Sequence, residues 1–186
     1  MTFTPMKIQG AWIHSPNIFS DNRGSFHEIL KLSDLHAELG RGFEVHQVNQ
    51  SRSHKGVVRG IHWTLGAPGQ AKYVSCTKGA IWDVVVDVRA DSATFGQWDA
   101  EFISSENGKS VLISEGLGHA FLSLEDNSTA TYLCSSEFNP VADRILNPMT
   151  LELGIPFLEI AQSHGIESLI LSEKDRSAPM SLSEIR

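Results

Sequence analysis

The sequence is poor in the residues that stabilise small exported proteins or build cysteine metal sites. It has only two cysteines, Cys76 and Cys134, among 186 residues. Two cysteines so far apart exclude a disulfide framework and a cysteine-based metal knuckle. Each lies inside an apolar, strand-like stretch, so we expect two buried free thiols in a reducing compartment.

Positive charge and long apolar runs are also scarce. Lys and Arg number 15 against 22 Asp and Glu, and the resulting net charge of −7 argues against general binding of nucleic acid. No apolar run approaches the ~18 residues that a membrane-spanning helix needs. The first twenty residues also lack the basic start and apolar stretch of a signal peptide. We therefore expect a soluble, cytoplasmic protein that binds neither nucleic acid nor membrane.

What the sequence does contain is a series of short runs with the two-residue period of β-strands. In Ala80–Arg89, alternate residues from Trp82 to Val88 share an apolar face, and the face that carries Asp83 and Asp87 is predicted to be partly polar. Similar runs are Phe43–Asn49, Val57–Trp63, Lys72–Thr77, Ser110–Ile113, His119–Leu124 and Ala130–Ser135. Turn-forming residues separate runs of this kind, and their spacing favours an antiparallel sandwich or barrel.

Helical signals are few. Ser33–Gly40 has a capping serine at its start, two leucines four residues apart and a final glycine, which together predict one short helix. A second short helix is possible near Phe157–His164. No linker or repeat interrupts the chain, so residues 1–186 are expected to form one β-rich domain with terminal extensions.

Two histidines lie in strand-like surroundings. In Val57–Trp63, alternation places Arg59 on the face of Ile61 and Trp63, and it places His62 on the opposite face. This segment alone favours a structural role for His62. The glycines before His119 allow a close approach of the backbone but do not by themselves assign a function to this histidine. Metal ligands in jelly-roll proteins usually include two from one strand, whereas no His-x-His or His-x-x-His occurs here. We expect no protein-bound metal.

Cationic and polar residues lie beside several predicted strands. They are Arg23, Arg59 and Lys72, with Glu28, Gln47 and Asn49 among them. In a chain of negative net charge, such groups can mark a site for an anionic small molecule. Taken without further information, exposed solubilising charge is the stronger interpretation.

Several segments taken together resemble one family. They are Phe19–Glu28, Gln47–Ser51, Val58–Trp63, Gln70–Lys72, Gly79–Asp87, Thr94–Gly96 and Leu171–Asp175. In this order they resemble the dTDP-4-dehydrorhamnose 3,5-epimerase family of nucleotide-sugar cupins, over roughly residues 17–178. The forms of Pro68–Val74 and Ser114–Phe121 are most similar to the branch found in antibiotic deoxysugar pathways, which includes enzymes that invert a single carbon.

The resemblance implies a homodimer of cupin-type β jelly rolls with short peripheral helices, an all-β fold that needs no cofactor or metal. It implies an epimerase that inverts carbon 3, carbon 5 or both in a dTDP-4-keto-6-deoxyhexose. In this family His62 would be the base, Asp175 its charge partner and Tyr132 the acid on the opposite face, while Lys72 would stabilise the enolate oxygen. The substrate-binding positions implied are Arg23, Phe26, Glu28, Gln47, Asn49, Arg59, His119, Phe138, Asp143 and Lys174, with Phe138 stacking on the thymine.

Departures from the family pattern leave the reacting carbon open. Val48 stands where rhamnose-pathway members commonly have Asp, Asp143 replaces a longer Glu, and Leu153–Pro156 replaces a Trp-Pro ending. Two other functions are compatible with such a fold: a 3,4-ketoisomerase and a non-catalytic cupin that binds a nucleotide sugar. The combination of base, acid and lysine argues against the first, and the presence of both Tyr132 and Asp175 argues against the second.

Overall fold

The structure is a computed structural model, and it describes residues 2–67 and 69–185. Met1, Pro68 and Arg186 lie outside the described residues. Pro68 is the first residue of the segment Pro68–Val74, on which part of the family resemblance depends. The strands are β1 Thr2–Pro5, β2 Ala11–Ser15, β3 Phe19–Asp21, β4 Gly24–Phe26, β5 Gln47–Ser53, β6 Val58–Thr64, β7 Lys72–Lys78, β8 Ala80–Asp87, β9 Trp98–Ser104, β10 Ser110–Ile113, β11 Leu117–Ser123, β12 Ser128–Cys134 and β13 Asp143–Ile145. The helices are α1 Leu32–Leu39, α2 Phe157–Ser163 and α3 Glu173–Arg176, with a 3₁₀ turn at Leu182–Ile185.

Two antiparallel sheets form the body of the fold. One has six strands in the order β1-β2-β10-β7-β12-β5, the other has five in the order β13-β6-β11-β8-β9, and β3 and β4 form a separate hairpin. Apolar side chains of both sheets meet between them, among them Val74 and Val111 from the first and Val85 and Phe121 from the second. The predicted all-β jelly roll of the cupin type, with short peripheral helices, is confirmed.

The outer face of the five-stranded sheet is covered as well. Trp82 and Val84 of β8 pack with Phe157 of α2, so the C-terminal segment closes the outside of the five-stranded sheet. Strand β8 is therefore buried on both faces. Its second face carries the polar residues Asp83 and Asp87 as predicted, but the expectation that only the other face is buried was wrong, since both aspartates are fully buried. Two-residue periodicity separates the two faces of a strand but does not reveal that a second sheet covers the polar one.

Strand β5 and helix α1 begin at other residues than predicted. The strand predicted at Phe43 begins only at Gln47, because Phe43 is buried with Leu35 of α1 in the layer that covers this sheet. Helix α1 begins after Lys31 without a side-chain cap, so Ser33 is not the cap. Its end is as predicted, with Gly40 in the left-handed conformation at φ 65°.

Several elements have no counterpart in the sequence prediction. They are β1, β2, β3, β4, β9, β13 and α3. Most are only three to five residues long, too short for a periodic pattern. Strand β9 is longer and lies at the edge of its sheet; its charged residues Asp99 and Glu101, paired with Lys7 and Lys109, alternate with Trp98, Ala100 and Phe102, a two-residue period that the sequence prediction missed.

Two expectations based on composition can be compared with the structure directly. Cys76 and Cys134 are both free and buried, as predicted. No helix within residues 2–67 and 69–185 is long and apolar enough to cross a membrane.

Candidate active site

A histidine and an aspartate far apart in sequence form a close pair. His62 lies on β6, and Asp175 lies on α3, whose first turn is capped by Ser172: the Asp175 amide donates to the Ser172 Oγ at 3.0 Å. The His62 Nε2 and the Asp175 Oδ1 are 2.6 Å apart. Burial alone raises the pKa of Asp175, but the hydrogen bond and charge of His62, together with hydrogen bonds from Ser172 and the Gly60 backbone, outweigh it and leave the pKa below its ordinary value. The buried carboxylate is thus ionised and available to hold the imidazole.

The pairing of β6 with β11 is irregular beside this histidine. The register shifts between His119 and Phe121, opposite Gly60, whose φ is +108°. A Cβ at Gly60 would lie 2.4 Å from the carbonyl oxygen of His119, so only glycine fits this close approach. The irregularity places Arg59 and His62 in the same cavity, and the prediction that they face opposite sides of the strand was wrong. Simple alternation does not include a bulge.

The cavity beside His62 has a volume of about 130 Å³. It is lined by Ser51, Arg59, His62, Lys72, His119, Phe121 and Tyr132. His62 and His119 are cross-strand neighbours in the five-stranded sheet, whereas Lys72 and Tyr132 belong to the six-stranded sheet. A molecule held in the cavity would therefore have the histidine and the tyrosine on opposite sides.

Burial shapes the electrostatics of the wall that faces His62. It raises the pKa of Tyr132, so the phenol keeps its proton at neutral pH. Lys72 is 9% exposed, and its Nζ lies 3.4 Å from the carbonyl oxygen of His62. Burial lowers the pKa of Lys72, although the charges of Asp143 and Asp83 act in the opposite direction. For Lys72, the alternative of exposed solubilising charge was wrong.

The second histidine of the cavity, His119, also has a carboxylate partner. The His119 Nε2 and the Asp83 Oδ1 are 2.6 Å apart, and both side chains are buried. Asp83 was not predicted as a site residue, although it lies on the face of β8 that was predicted to be partly polar. Among the described residues, no group of three or more His, Cys, Asp and Glu side chains is arranged to hold a metal ion.

Strand β5 adds a row of polar side chains, and a chain of hydrogen bonds fixes their orientation. The Phe138 amide donates to the Gln47 Oε1 at 2.8 Å, and the Gln47 Nε2 donates to the Asn49 Oδ1 at 2.7 Å. The Asn49 Nδ2 in turn donates to the Cys134 Sγ at 3.6 Å. Phe138, whose side chain is exposed, is thereby held beside the strand. The next residue on this face, Ser51, was not predicted as a site residue, although its two-residue spacing from Asn49 was a usable signal.

A shallower depression adjoins the cavity on the side of α3. Its lining includes Arg59, His62, Lys174 and Asp175. The Lys174 Nζ and the Asp143 Oδ2 form an ion pair at 2.7 Å. These two predicted binding residues therefore lie together, next to the His62–Asp175 pair.

Three predicted binding residues lie on or just after the β3–β4 hairpin, and like Gln47, Asn49, Phe138 and Asp143 they are not among the residues that line the cavity. Arg23 and Phe26 belong to the β3–β4 hairpin, and Glu28 follows it; all three are exposed. Arg23 forms an ion pair with Asp21 of the same hairpin, with the Nη2 and Oδ2 atoms 2.6 Å apart. The hairpin has its own depression of about 490 Å³, lined by residues between Phe19 and Phe26.

Comparisons with known proteins give a consistent result. The family model described as dTDP-4-dehydrorhamnose 3,5-epimerase matches residues 5–183. The chain is 44% identical to a dTDP-4-dehydrorhamnose 3,5-epimerase of Mycolicibacterium smegmatis, over 96% of this chain and 85% of the relative. It is 46% identical to a dTDP-4-dehydro-6-deoxyglucose 3-epimerase of Streptomyces bikiniensis, over 94% of this chain and 86% of the relative. The crystal structure of a 3'-monoepimerase from Streptomyces bikiniensis with dTDP-quinovose superposes with a TM-score of 0.87 at 45% identity, covering 96% of this chain and 87% of that one.

Proposed function

Because the chain belongs to the dTDP-4-dehydrorhamnose 3,5-epimerase family, we propose that this isomerase inverts carbon 3, carbon 5 or both in a dTDP-4-keto-6-deoxyhexose. Carbons 3 and 5 flank the ketone, so a base can remove a proton from either while the electrons move to the ketone oxygen. Inversion follows when an acid on the other face of the ring returns a proton. The observation that carries the proposal is a His–Asp pair and a protonated tyrosine on opposite walls of one cavity.

His62 is the proposed base. Its ring is held by the ionised Asp175 through a 2.6 Å hydrogen bond, which orients the imidazole and stabilises the imidazolium that forms when it accepts the proton. Asp175 is therefore a positioning residue in this mechanism, since it acts through His62.

Tyr132 is the proposed acid, and Lys72 is the proposed stabiliser of the enolate. The raised pKa of Tyr132 keeps a proton on the phenol until the enolate carbon takes it. Positive charge on the buried Lys72 acts on the oxygen where negative charge develops, which lowers the barrier in a water-poor site. The named relatives are epimerases, which supports this reaction over a 3,4-ketoisomerase.

The binding roles follow from the charges around the cavity. Arg59 and Lys174 are proposed to hold the diphosphate, since both line the depression beside the base. Gln47, Asn49 and His119 are proposed to hold the nucleotide and sugar, with Asp143 beside them. Phe138, a residue that is 59% exposed, is proposed to stack on the thymine.

Turnover in D₂O tests the proposed reaction. The pure protein is incubated with dTDP-4-keto-6-deoxyglucose, and NMR reads which carbons gain deuterium and which configuration they have. We expect deuterium at carbon 3, carbon 5 or both, with inverted configuration at the labelled carbon. Movement of the ketone to carbon 3, or no exchange above the rate without protein, would contradict the proposal.

We also propose that the enzyme is a homodimer and that Arg23, Phe26 and Glu28 act in the partner's cavity. The support is the exposed hairpin: Phe19 and Phe26 face each other across it and remain 63% and 65% exposed. Edge strands β1 and β5 also leave backbone groups available for a partner chain. Contact with a second copy would cover this apolar surface and supply a cation to the substrate phosphates.

Complementation tests this arrangement. The variants Arg23→Ala and His62→Ala are each expected to be weakly active, and mixing after subunit exchange should restore about a quarter of wild-type activity, because one cavity in four then has both groups intact. Mixing two samples of His62→Ala is the control and should restore nothing. An active monomer in sedimentation, or a mixture no more active than its components, would contradict the proposal.

Two further proposals describe the domain organisation and the cellular location of the protein. We propose that residues 1–186 act as one epimerase domain, which is supported by the hydrophobic layer that both sheets share. We propose a cytoplasmic location as well, and its support is the pair of buried free thiols.

A further inference from the structure

Ser51 has a hydroxyl that the chain itself leaves unpaired. Gln47, Asn49 and Ser51 share one face of β5. Gln47 and Asn49 are hydrogen-bonded to each other, and Asn49 also donates to Cys134. The Ser51 Oγ is buried and has no hydrogen-bond partner among the residues that the structure describes. It lines the cavity that contains His62 and Tyr132.

The surroundings of Ser51 explain why no side chain reaches it. Its cross-strand partner on β12 is Ala130, which has no polar group. Ser53, two residues further along the same face, has its own partner because its Oγ accepts from the Arg59 Nε at 3.0 Å. Buried hydroxyls are normally paired with protein, water or ligand, so the Ser51 hydroxyl is available to a group in the cavity.

The position of Arg59 indicates which substrate group this is. Arg59 lines the cavity and is bonded to Ser53, so Ser51 lies on the side of the cavity where a guanidinium can hold phosphate. In a nucleotide sugar the diphosphate is on carbon 1, and carbon 2 is the next ring atom. The hydroxyl on carbon 2 is therefore the sugar hydroxyl nearest to the phosphates, on the side of the ring away from the ketone.

We propose that Ser51 is a specificity-determining residue whose hydroxyl hydrogen-bonds to the 2-hydroxyl of the sugar. It makes the enzyme prefer dTDP-4-keto-6-deoxyhexoses that carry this hydroxyl over their 2-deoxy counterparts. This inference rests on the proposed epimerase function. A site with a hydrogen-bonding group rejects a substrate that leaves this group unpaired, by at least about tenfold in kcat/KM.

The test compares both sugars with three proteins: the wild type, Ser51→Ala and Ser75→Ala. Ser75 is the matched control, since it is a buried serine on the opposite face of the same sheet, bonded to Ser110 at 2.7 Å. The wild type should favour the 2-hydroxy sugar by about tenfold or more in kcat/KM. In Ser51→Ala, kcat/KM for the 2-hydroxy sugar should fall about tenfold, while kcat/KM for the 2-deoxy sugar should not fall, because the variant leaves no serine hydroxyl unpaired. Ser75→Ala should keep the wild-type preference.

A binding measurement on the wild type makes the test independent of how the variants fold. Titration calorimetry with the unreactive dTDP-glucose and its 2-deoxy analogue should give about tenfold tighter binding of the first. Equal affinity for both would overturn the proposal, as would an equal loss on both sugars in Ser51→Ala. If the wild type inverts neither sugar, the proposed function itself fails, and this outcome differs from an active enzyme that shows no preference.

Discussion

Replacing Asp175 by Asn removes the charge of one buried carboxylate and little volume. The Asp175 Oδ1 accepts a 2.6 Å hydrogen bond from His62; the side chain of Asp175 is 5% exposed and that of His62 is 35% exposed, so solvent screens the pair only from the side of the imidazole. A hydrogen bond to a charged group contributes about 1.5–3 kcal/mol, which corresponds to a loss of roughly 10- to 150-fold in rate when it acts on the transition state. We therefore expect kcat to fall by about this factor.

The same variant separates positioning from binding. Because Asp175 acts through His62 and not on the nucleotide, KM should change little while kcat falls. Steady-state kinetics measure both constants, and Asp99→Asn on β9 serves as the control, because it removes a carboxylate whose ion-pair partner is Lys7. An Asp175→Asn enzyme with wild-type kcat, or one in which KM alone rises, would refute the assignment of this pair.

Three further outcomes follow from the same structure. In His62→Ala, the loss of the base should lower turnover by roughly 10²- to 10⁴-fold, while dTDP binding measured by calorimetry stays nearly intact; normal solvent exchange would contradict the role of His62. Exhaustive chelation should leave turnover unchanged, and activity that is lost and then restored by zinc, iron or nickel would overturn the acid–base mechanism. Burial by itself raises the pKa of Asp87, but hydrogen bonds from Arg89, Ser92 and Thr94 bring it down to about 2 from 3.8. The ionised Asp87 therefore stabilises the folded protein above pH 3.8, and this contribution is lost as the pH falls through about 2. Asp87→Asn should thus cost on the order of 2 kcal/mol in urea unfolding at pH 7 and progressively less toward pH 2, and an equally stable variant at pH 7 would contradict this.

The strands that build the cavity walls were largely predictable from alternation. Predicted runs at Val57–Trp63, Lys72–Thr77 and Ala130–Ser135 agree with β6, β7 and β12 to within two residues at each end. These strands are short runs rich in apolar and β-branched residues between turn-forming segments, a pattern that marks a strand even where the bulge in β6 interrupts the alternation. The resemblance to a family supplied what periodicity lacks, namely that Asp175 belongs with His62.

Other parts of the site depend on tertiary contacts that no local pattern contains. The bulge at Gly60 moves Arg59 to the side of His62, and it exists because β11 approaches this glycine closely. Asp83 was assigned to a partly polar face, yet burial by the second sheet turned it into the partner of His119. The unpaired hydroxyl of Ser51 likewise could not be predicted, because the sequence does not show that its neighbour across the sheet is Ala130.

The Tyr132→Phe variant tests the two-sided mechanism most directly. Phe keeps the ring that packs in the cavity but removes the proposed proton donor opposite His62. After incubation with dTDP-4-keto-6-deoxyglucose in D₂O, NMR measures deuterium incorporation and inversion separately. The mechanism predicts that the variant still exchanges the carbon-bound hydrogen and returns largely uninverted sugar, since His62 can return a proton only to the face from which it took one. Inversion at the wild-type rate would contradict the mechanism and would make Tyr132 a packing residue.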